Sequence, residues 1–586
     1  MQNNRQYQAI AVPNNKLHKH DLSHQHVTTL DFFRLQPISI METVAGDKIS
    51  LNVRSLVEAS PLATKVYGSA HLDLHCFFVP FRLLWKEWNN YYYGDGANSS
   101  FQLPYVPFGA KGFMDYVFGA SEDYPVGVTP EKERRAIFGS LGYPCNFYNS
   151  SSDIGTSANV SALPARAYQQ IWWDWFRDSV NIPESTRSSY LSTDGGQIQQ
   201  NQWTTLFAPR YRTFRKDFIT TILSPESSGQ EGVLIPTSEY RADPYTQTNT
   251  LRDMGVNSDG SVVAYGAEKS ATVYGRLVDT LRVPVLRGSI ALQRFLERLG
   301  VTGSRPIERI FSTFGVRPTP ERLDMSEFIG YKSIPLSIDG LVNTGSSSKL
   351  DSGDGMSPFG DVDNAAFGTM QGRASGGGQT DTWHYNSEEH GYIMVVASIV
   401  PDYLNACTID RLFTRGLDPT GDGNLDFFQP DFDGSNYRPV FLKHVAWPTT
   451  SSPDSWKGPE RFKPNQLVGY QPYAEDYRVI LDRVSGDFLE KASSTFLRNM
   501  VFLRNLTDMS PSSVVAGLNL TTPTADDRAR FDNHFQVTSG DKDHFILNNF
   551  IAVDAMRPIS GSQLPTELSD MANRDLLETS KLGIRL

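Results

Sequence analysis

Cysteine is nearly absent. Cys76, Cys145 and Cys407 are the three in 586 residues, odd in number and far apart. That excludes a disulfide framework and a cysteine metal knuckle, and it fits folding in a reducing cytoplasm. Apolar runs of about 18 residues are missing, so no membrane-spanning helix is expected. The opening MQNNRQYQAIAVPNNK lacks the apolar core of a secretory signal. Catalytic signatures are missing as well: GxSxG, HExxH, a Walker loop and CxxC do not occur. Repeats of solenoid length are not found. Positive charge is in deficit, with a formal balance of −11. This argues against a chain that coats nucleic acid with its whole surface, and leaves room for one basic face.

What is plentiful is aromatic: 34 Phe, 25 Tyr and 9 Trp, a stock that suits a large core and interface patches. Gly (46) and Pro (34) suit a fold with many turns. Period-two alternation marks strands. Ile49, Leu51 and Val53 alternate with polar neighbours, and Leu72, Leu74, Cys76 and Phe78 share one face. Residues 391–400, 438–446 and 545–553 are further strand candidates. Strands so far apart, joined by long excursions, point to Greek-key or jelly-roll pairing and away from a chain of hairpins. Helices are expected over 164–178, with Tyr168, Ile171, Trp172, Trp175 and Phe176 on one stripe, and over 284–299, with Leu292, Phe295, Leu296 and Leu299. Regular βαβ alternation is lacking, so a doubly wound sheet is not expected. Residues 1–35 read as an N-terminal arm and 36–586 as one domain. Its insertions, near 95–160, 225–270 and 343–385, would form surface or interface loops.

Three clusters could carry chemistry. His18, His20, His24 and His26 could hold a metal, but no carboxylate or cysteine completes the set, and a polar arm packing on its neighbours is the plainer reading. DPTGDGNLDFFQ (418–429) overlays part of a calcium loop through Asp418, Asp422, Gly423 and Asp426, with Thr420 and Gln429 out of pattern; an Asp/Gly turn is the plainer reading. The run PRYRTFRK (209–216) interleaves Arg210, Arg212, Arg215 and Lys216 with Tyr211 and Phe214. Such a pattern can neutralise phosphates and stack bases; pairing with the chain's own acids accounts for it as well. Arg276, Arg282, Arg287, Arg294, Arg298, Arg305 and Arg309 form a second basic stretch.

Taken in order, several motifs resemble the major capsid proteins of the Microviridae, small icosahedral single-stranded-DNA bacteriophages, and especially their gokushovirus-like branch. They are HDLSHQHVTT (20–29), VAGDKISL (44–51), FFVPFRLLWKEW (77–88), ALPARAYQQIWWDWFRD (162–178), KDFITTILSPESSGQEG (216–232), LERLGVTGSRPIERIFSTFGVRP (296–318), EHGYIMVVASIVP (389–401) and VGYQPYAEDYRVILDRVSGDF (468–488). The resemblance implies a mainly β fold: an eight-stranded viral jelly-roll β-barrel with long loop insertions containing several helices. It further implies a structural protein and no enzyme, with about sixty copies closing a T=1 shell around circular single-stranded DNA. Implied partners are the chain itself, the genome, small DNA-binding and pilot or scaffolding phage proteins, and a host receptor. No cofactor is implied. Trp85, Trp88, Tyr91, Tyr92 and Tyr93 are the expected subunit interface, with intrachain packing as the competing role. The variable insertion after residue 232 is short compared with the family's, which shifts surface elaboration toward 95–160. A secreted β-sandwich that binds or cleaves carbohydrate would share the strands and aromatics, but predicts a signal peptide and a carboxylate pair that are not found. A metal-dependent enzyme would rest on the histidines alone.

Overall fold

The computed structural model describes residues 17–62, 66–93, 101–118, 131–143, 158–179, 182–223, 319–342, 370–405, 408–414, 437–448 and 543–557. It also describes short pieces at 253–256, 262–265, 290, 292 and between 462 and 535. Two compact units arise: residues 225–301, and the rest of the chain. In the smaller unit, Asp253–Val256 and Val262–Tyr265 pair as an antiparallel hairpin.

The larger unit is organised by ten strands: β1 (His18–Asp21), β2 (His24–Leu30), β3 (Gln36–Thr43), β4 (Lys48–Ala59), β5 (Ala70–Pro80), β6 (Glu327–Val342), β7 (Met370–Gln379), β8 (Trp383–Asn386), β9 (Gly391–Pro401) and β10 (Phe545–Arg557). Both β1 and β2 pair with β10, and both β7 and β8 with β4. Counted as two composite strands, they bring the barrel to eight. The pairings then nest. The first strand meets the eighth (β2·β10), the second the seventh (β3·β9), the third the sixth (β4·β7 and β4·β8), and the fourth the fifth (β5·β6). The chain is thus one long antiparallel hairpin wound on itself, the jelly-roll topology. Winding adds the β10·β4 and β9·β5 pairings. β6 passes between the two sheets: Glu327–Leu336 pairs with β5 and Ser337–Val342 with β7.

Burial explains the strand patterns. In β10, Phe545, Leu547, Asn549, Ile551, Val553 and Ala555 point inward, while Ile546, Phe550, Asp554 and Met556 face out. β4 alternates in the same way. β5 and β9 are buried almost throughout, because one face fills the barrel and the other is covered by helices. The cover comes from the long β5–β6 connection, through α1 (Phe81–Leu84), α2 (Trp88–Tyr93), α3 (Lys111–Phe118), α4 (Glu131–Ser140) and α5 (Leu163–Ile171). Phe77, Val79, Met394 and Val396 form a second core with Phe113, Phe138, Tyr168 and Trp173. The β9–β10 connection caps the barrel's other end: Phe502, Phe531 and Phe535 pack on Phe32 with ring centroids 5.6–6.0 Å apart.

Two local expectations need correction. Residues 438–446 are a strand only over Tyr437–Phe441; Leu442–Val445 then turns as a helix, all four of its residues buried. The helix expected over 164–178 changes to π geometry at Trp172–Phe176, with Arg177 N–H donating to Trp172 O at 2.8 Å. The wider turn rotates Trp173 into the core beside the expected stripe. Of the helix expected over 284–299, only Ile290 and Leu292 are described; both are helical and exposed.

Candidate assembly and nucleic-acid surfaces

The basic run 209–216 lies along the start of β3, where Leu35 N–H donates to Arg210 O and Arg212 N–H to Phe33 O, each at 2.8 Å. Its side chains turn inward. Arg212 is paired with Asp73, a fully buried carboxylate of β5. Burial alone would raise the Asp73 carboxyl, but Arg212 beside it, with hydrogen bonds from Ser333, Arg212 and Tyr331, holds it below the ordinary carboxylate range. Arg215 pairs with Asp402 at 2.9 Å and lies 3.7 Å from Asp73. Of the four, Lys216 is the one with an exposed side chain. Arg212 and Arg215 are thus paired with carboxylates of the barrel, Arg215 remaining partly exposed and Lys216 exposed. Arg210 differs. Its guanidinium stacks over Trp172 (4.1 Å to the centroid) and Tyr190 (5.4 Å), and its Nε donates to Gln169. Burial without a countercharge lowers it to about 10.

The Trp–Tyr turn divides. Trp85 is fully buried and belongs to the second core, so it packs within the chain. Trp88 is half-buried, with its ring on Phe81 at 4.8 Å and stacked on Tyr92 at 5.4 Å. Tyr91 and Tyr92 are exposed, 38% and 48%. Tyr92 leans on His390 of the β8–β9 turn, centroids 4.6 Å apart. Tyr93 ends α2, and its side chain lies outside the described residues. The turn is anchored by Arg82, which pairs with Asp324 and, at 2.8 Å, with Glu389.

A second exposed patch, absent from the sequence expectations, lies on the outer face of β2, β10 and β4. Val27 and Leu56 both sit opposite Asn548, and Ile546 and Phe550 flank that position along β10; the four are 40–60% exposed. Alternation in β10 was legible, but an outward Ile or Phe looks no different in sequence from an inward one.

Asp418, Asp422 and Asp426, and the second arginine stretch, lie outside the described residues. The four histidines are spread along the barrel edge, His18 and His20 opposite Arg557 and Ala555, His24 and His26 opposite Ile551 and Asn549. His24 Nδ1 is 3.0 Å from Leu22 O and its Nε2 is 3.2 Å from Ser39 Oγ. Among the described residues, metal-type ligands instead converge at Asp31, Asp532 and His544, whose Nδ1 lies 2.8 Å and 3.4 Å from the two carboxylates. This group ties the β2–β3 turn to the β9–β10 connection through close polar contacts.

A wound eight-strand hairpin with expanded connections is the architecture of viral jelly-roll shell proteins. Residues 11–566 match the family model described as Capsid protein (F protein), and the chain belongs to that family. It is similar to Capsid protein VP1 of Bdellovibrio phage phiMH2K, 24% identical over 78% of this chain and 80% of the relative. It is also similar to Capsid protein VP1 of Spiroplasma virus 4, 24% identical over 83% and 88%. Capsid protein F of Escherichia phage G4 is 27% identical over a shorter stretch, 34% of this chain and 49% of the relative. The protein is a structural major capsid protein of the Microviridae type and a component of the virion capsid. The comparisons lend no support to the carbohydrate-binding alternative.

Proposed function

We propose that about sixty copies close a T=1 icosahedral shell around a circular single-stranded DNA genome in the host cytoplasm, and that the role is structural without catalysis. The observation that carries the subunit-contact reading is the exposed pair Tyr91 and Tyr92, seated on half-buried Trp88, beside the barrel. Exposed stacked aromatics next to a rigid sheet are what a recurring interface needs at its centre. Small DNA-binding and pilot or scaffolding proteins, and a host receptor met by residues 225–270 or 343–380, complete the proposed partners. DNA contact is expected to be mainly with phosphates and without base readout. No cofactor is part of the proposal; calcium at Asp418, Asp422 and Asp426 would show as heat in a calorimetric titration. Sedimentation velocity of the Tyr91→Ser/Tyr92→Ser double variant tests the contact. Reduced association with unchanged thermal stability is expected, and assembly equal to the wild type would rule the contact out.

A further inference from the structure

Unused buried donors gather around one recess. It is a small, partly open recess in the β5–β6 connection, lined by Arg166 and Gln169 of α5, Tyr190, Ser192, and Gln202 and Thr205 of the helix Gln200–Leu206. Arg166 is only 4% exposed. Its Nη1 and Nη2 donate to the main-chain oxygens of Leu84 (3.0 Å) and Asp194 (2.7 Å), while Nε is buried without an acceptor. Ser192 Oγ is likewise buried and unpartnered. Arg210 lies behind the wall, linked to the lining through Gln169 and Tyr190, and its Nη2 is also without an acceptor.

The charge balance here differs from that of several other buried arginines among the described residues. Arg34, Arg177 and Arg212 each hold a carboxylate. Among the described residues, neither Arg166 nor Arg210 has a carboxylate within ion-pair distance. The acid that does act on Arg166, Asp194, is exposed and bonded to Lys86 at 2.5 Å. Two buried cations, one with no countercharge in ion-pair reach and one with only an exposed carboxylate shared with Lys86, favour an anion from outside. The free donors also select its shape. Arg166 has committed one N–H of each terminal nitrogen to the main chain, which fixes the guanidinium in place and leaves its Nε without an acceptor. What remains is single N–H and O–H groups from separate segments, which suits an acceptor with oxygens in several directions.

We propose that this recess binds a phosphate group, either the free ion or a phosphodiester of single-stranded DNA. The site does not depend on shell closure, so the purified full-length chain serves for the test. Its melting temperature is followed in inorganic phosphate against chloride at matched ionic strength, and separately with oligothymidylate. Ser192→Asp places a carboxylate in the recess. It is expected to raise the melting temperature without added phosphate and to remove the response to phosphate. Thr205→Glu, nearer the partly exposed rim, does the same without altering a buried position. A variant-sensitive shift with oligothymidylate identifies the phosphodiester, and one with inorganic phosphate alone identifies the free ion. A wild-type melting temperature indifferent to both ligands, or a response left intact in both variants, would overturn the proposal.

Discussion

The arginines show how far single residues can be read. Clustering of Arg210, Arg212 and Arg215 was visible, but their partners were not, because Asp73 and Asp402 are brought to them only by the folded β5 and β9. A more deeply buried pair is Arg34 with Asp543, both within 6% exposure and bonded twice, at 2.9 and 2.6 Å. Asp543 and neighbouring acids hold the Arg34 guanidinium above its ordinary range despite burial. Asp543→Asn strands that cation and is expected to cost about 3–5 kcal/mol in urea unfolding of the unassembled chain. His75 supplies a pH signature. Burial, reinforced by Arg212, lowers it to about 3, against a partial opposing pull from Asp73. The folded state refuses a proton that the unfolded chain accepts below about pH 6.5. Its contribution is therefore complete above that pH and falls by up to about 1.4 kcal/mol per unit as pH drops toward 3. His75→Phe keeps a ring against Phe176 and Tyr331, and its unfolding free energy should vary less with pH across that window.

Among the elements, legibility followed environment. β4 and β10 announced themselves by alternation because one face meets water. β5 and β9 are covered on both faces, which neither the alternation of Leu72, Leu74, Cys76 and Phe78 nor the apolar run 391–400 reveals. The π turn at Trp172–Phe176 was beyond a regular-period reading, since it breaks the period itself. β9 also contains a point of close approach. A Cβ on Gly391 would fall 2.4 Å from Val79 O, a backbone atom that cannot swing away. Gly391→Ala is expected to lower stability by about 1–3 kcal/mol, measured by chemical denaturation, through separation of β9 from β5. Strand spacing unchanged and stability unaltered would show that the sheet relaxes there at no cost.

For the whole molecule, the nested pairing explains why a jelly roll could be expected from strands hundreds of residues apart. Winding a hairpin leaves its turns free to grow, and this chain has grown two of them, 81–326 and 402–544, without disturbing the pairing of β5 with β6 or of β4 with β10. Motif order identified the family, while the surfaces that subunits present were not legible, because Trp85 and Trp88 look alike in sequence and only the fold separates buried from half-buried. Electron microscopy of the purified full-length chain tests the shell-forming role most directly. Closed shells of about sixty copies, or pentameric pieces of them, are predicted. A protein that remains monomeric at every concentration, with and without single-stranded DNA, would contradict it.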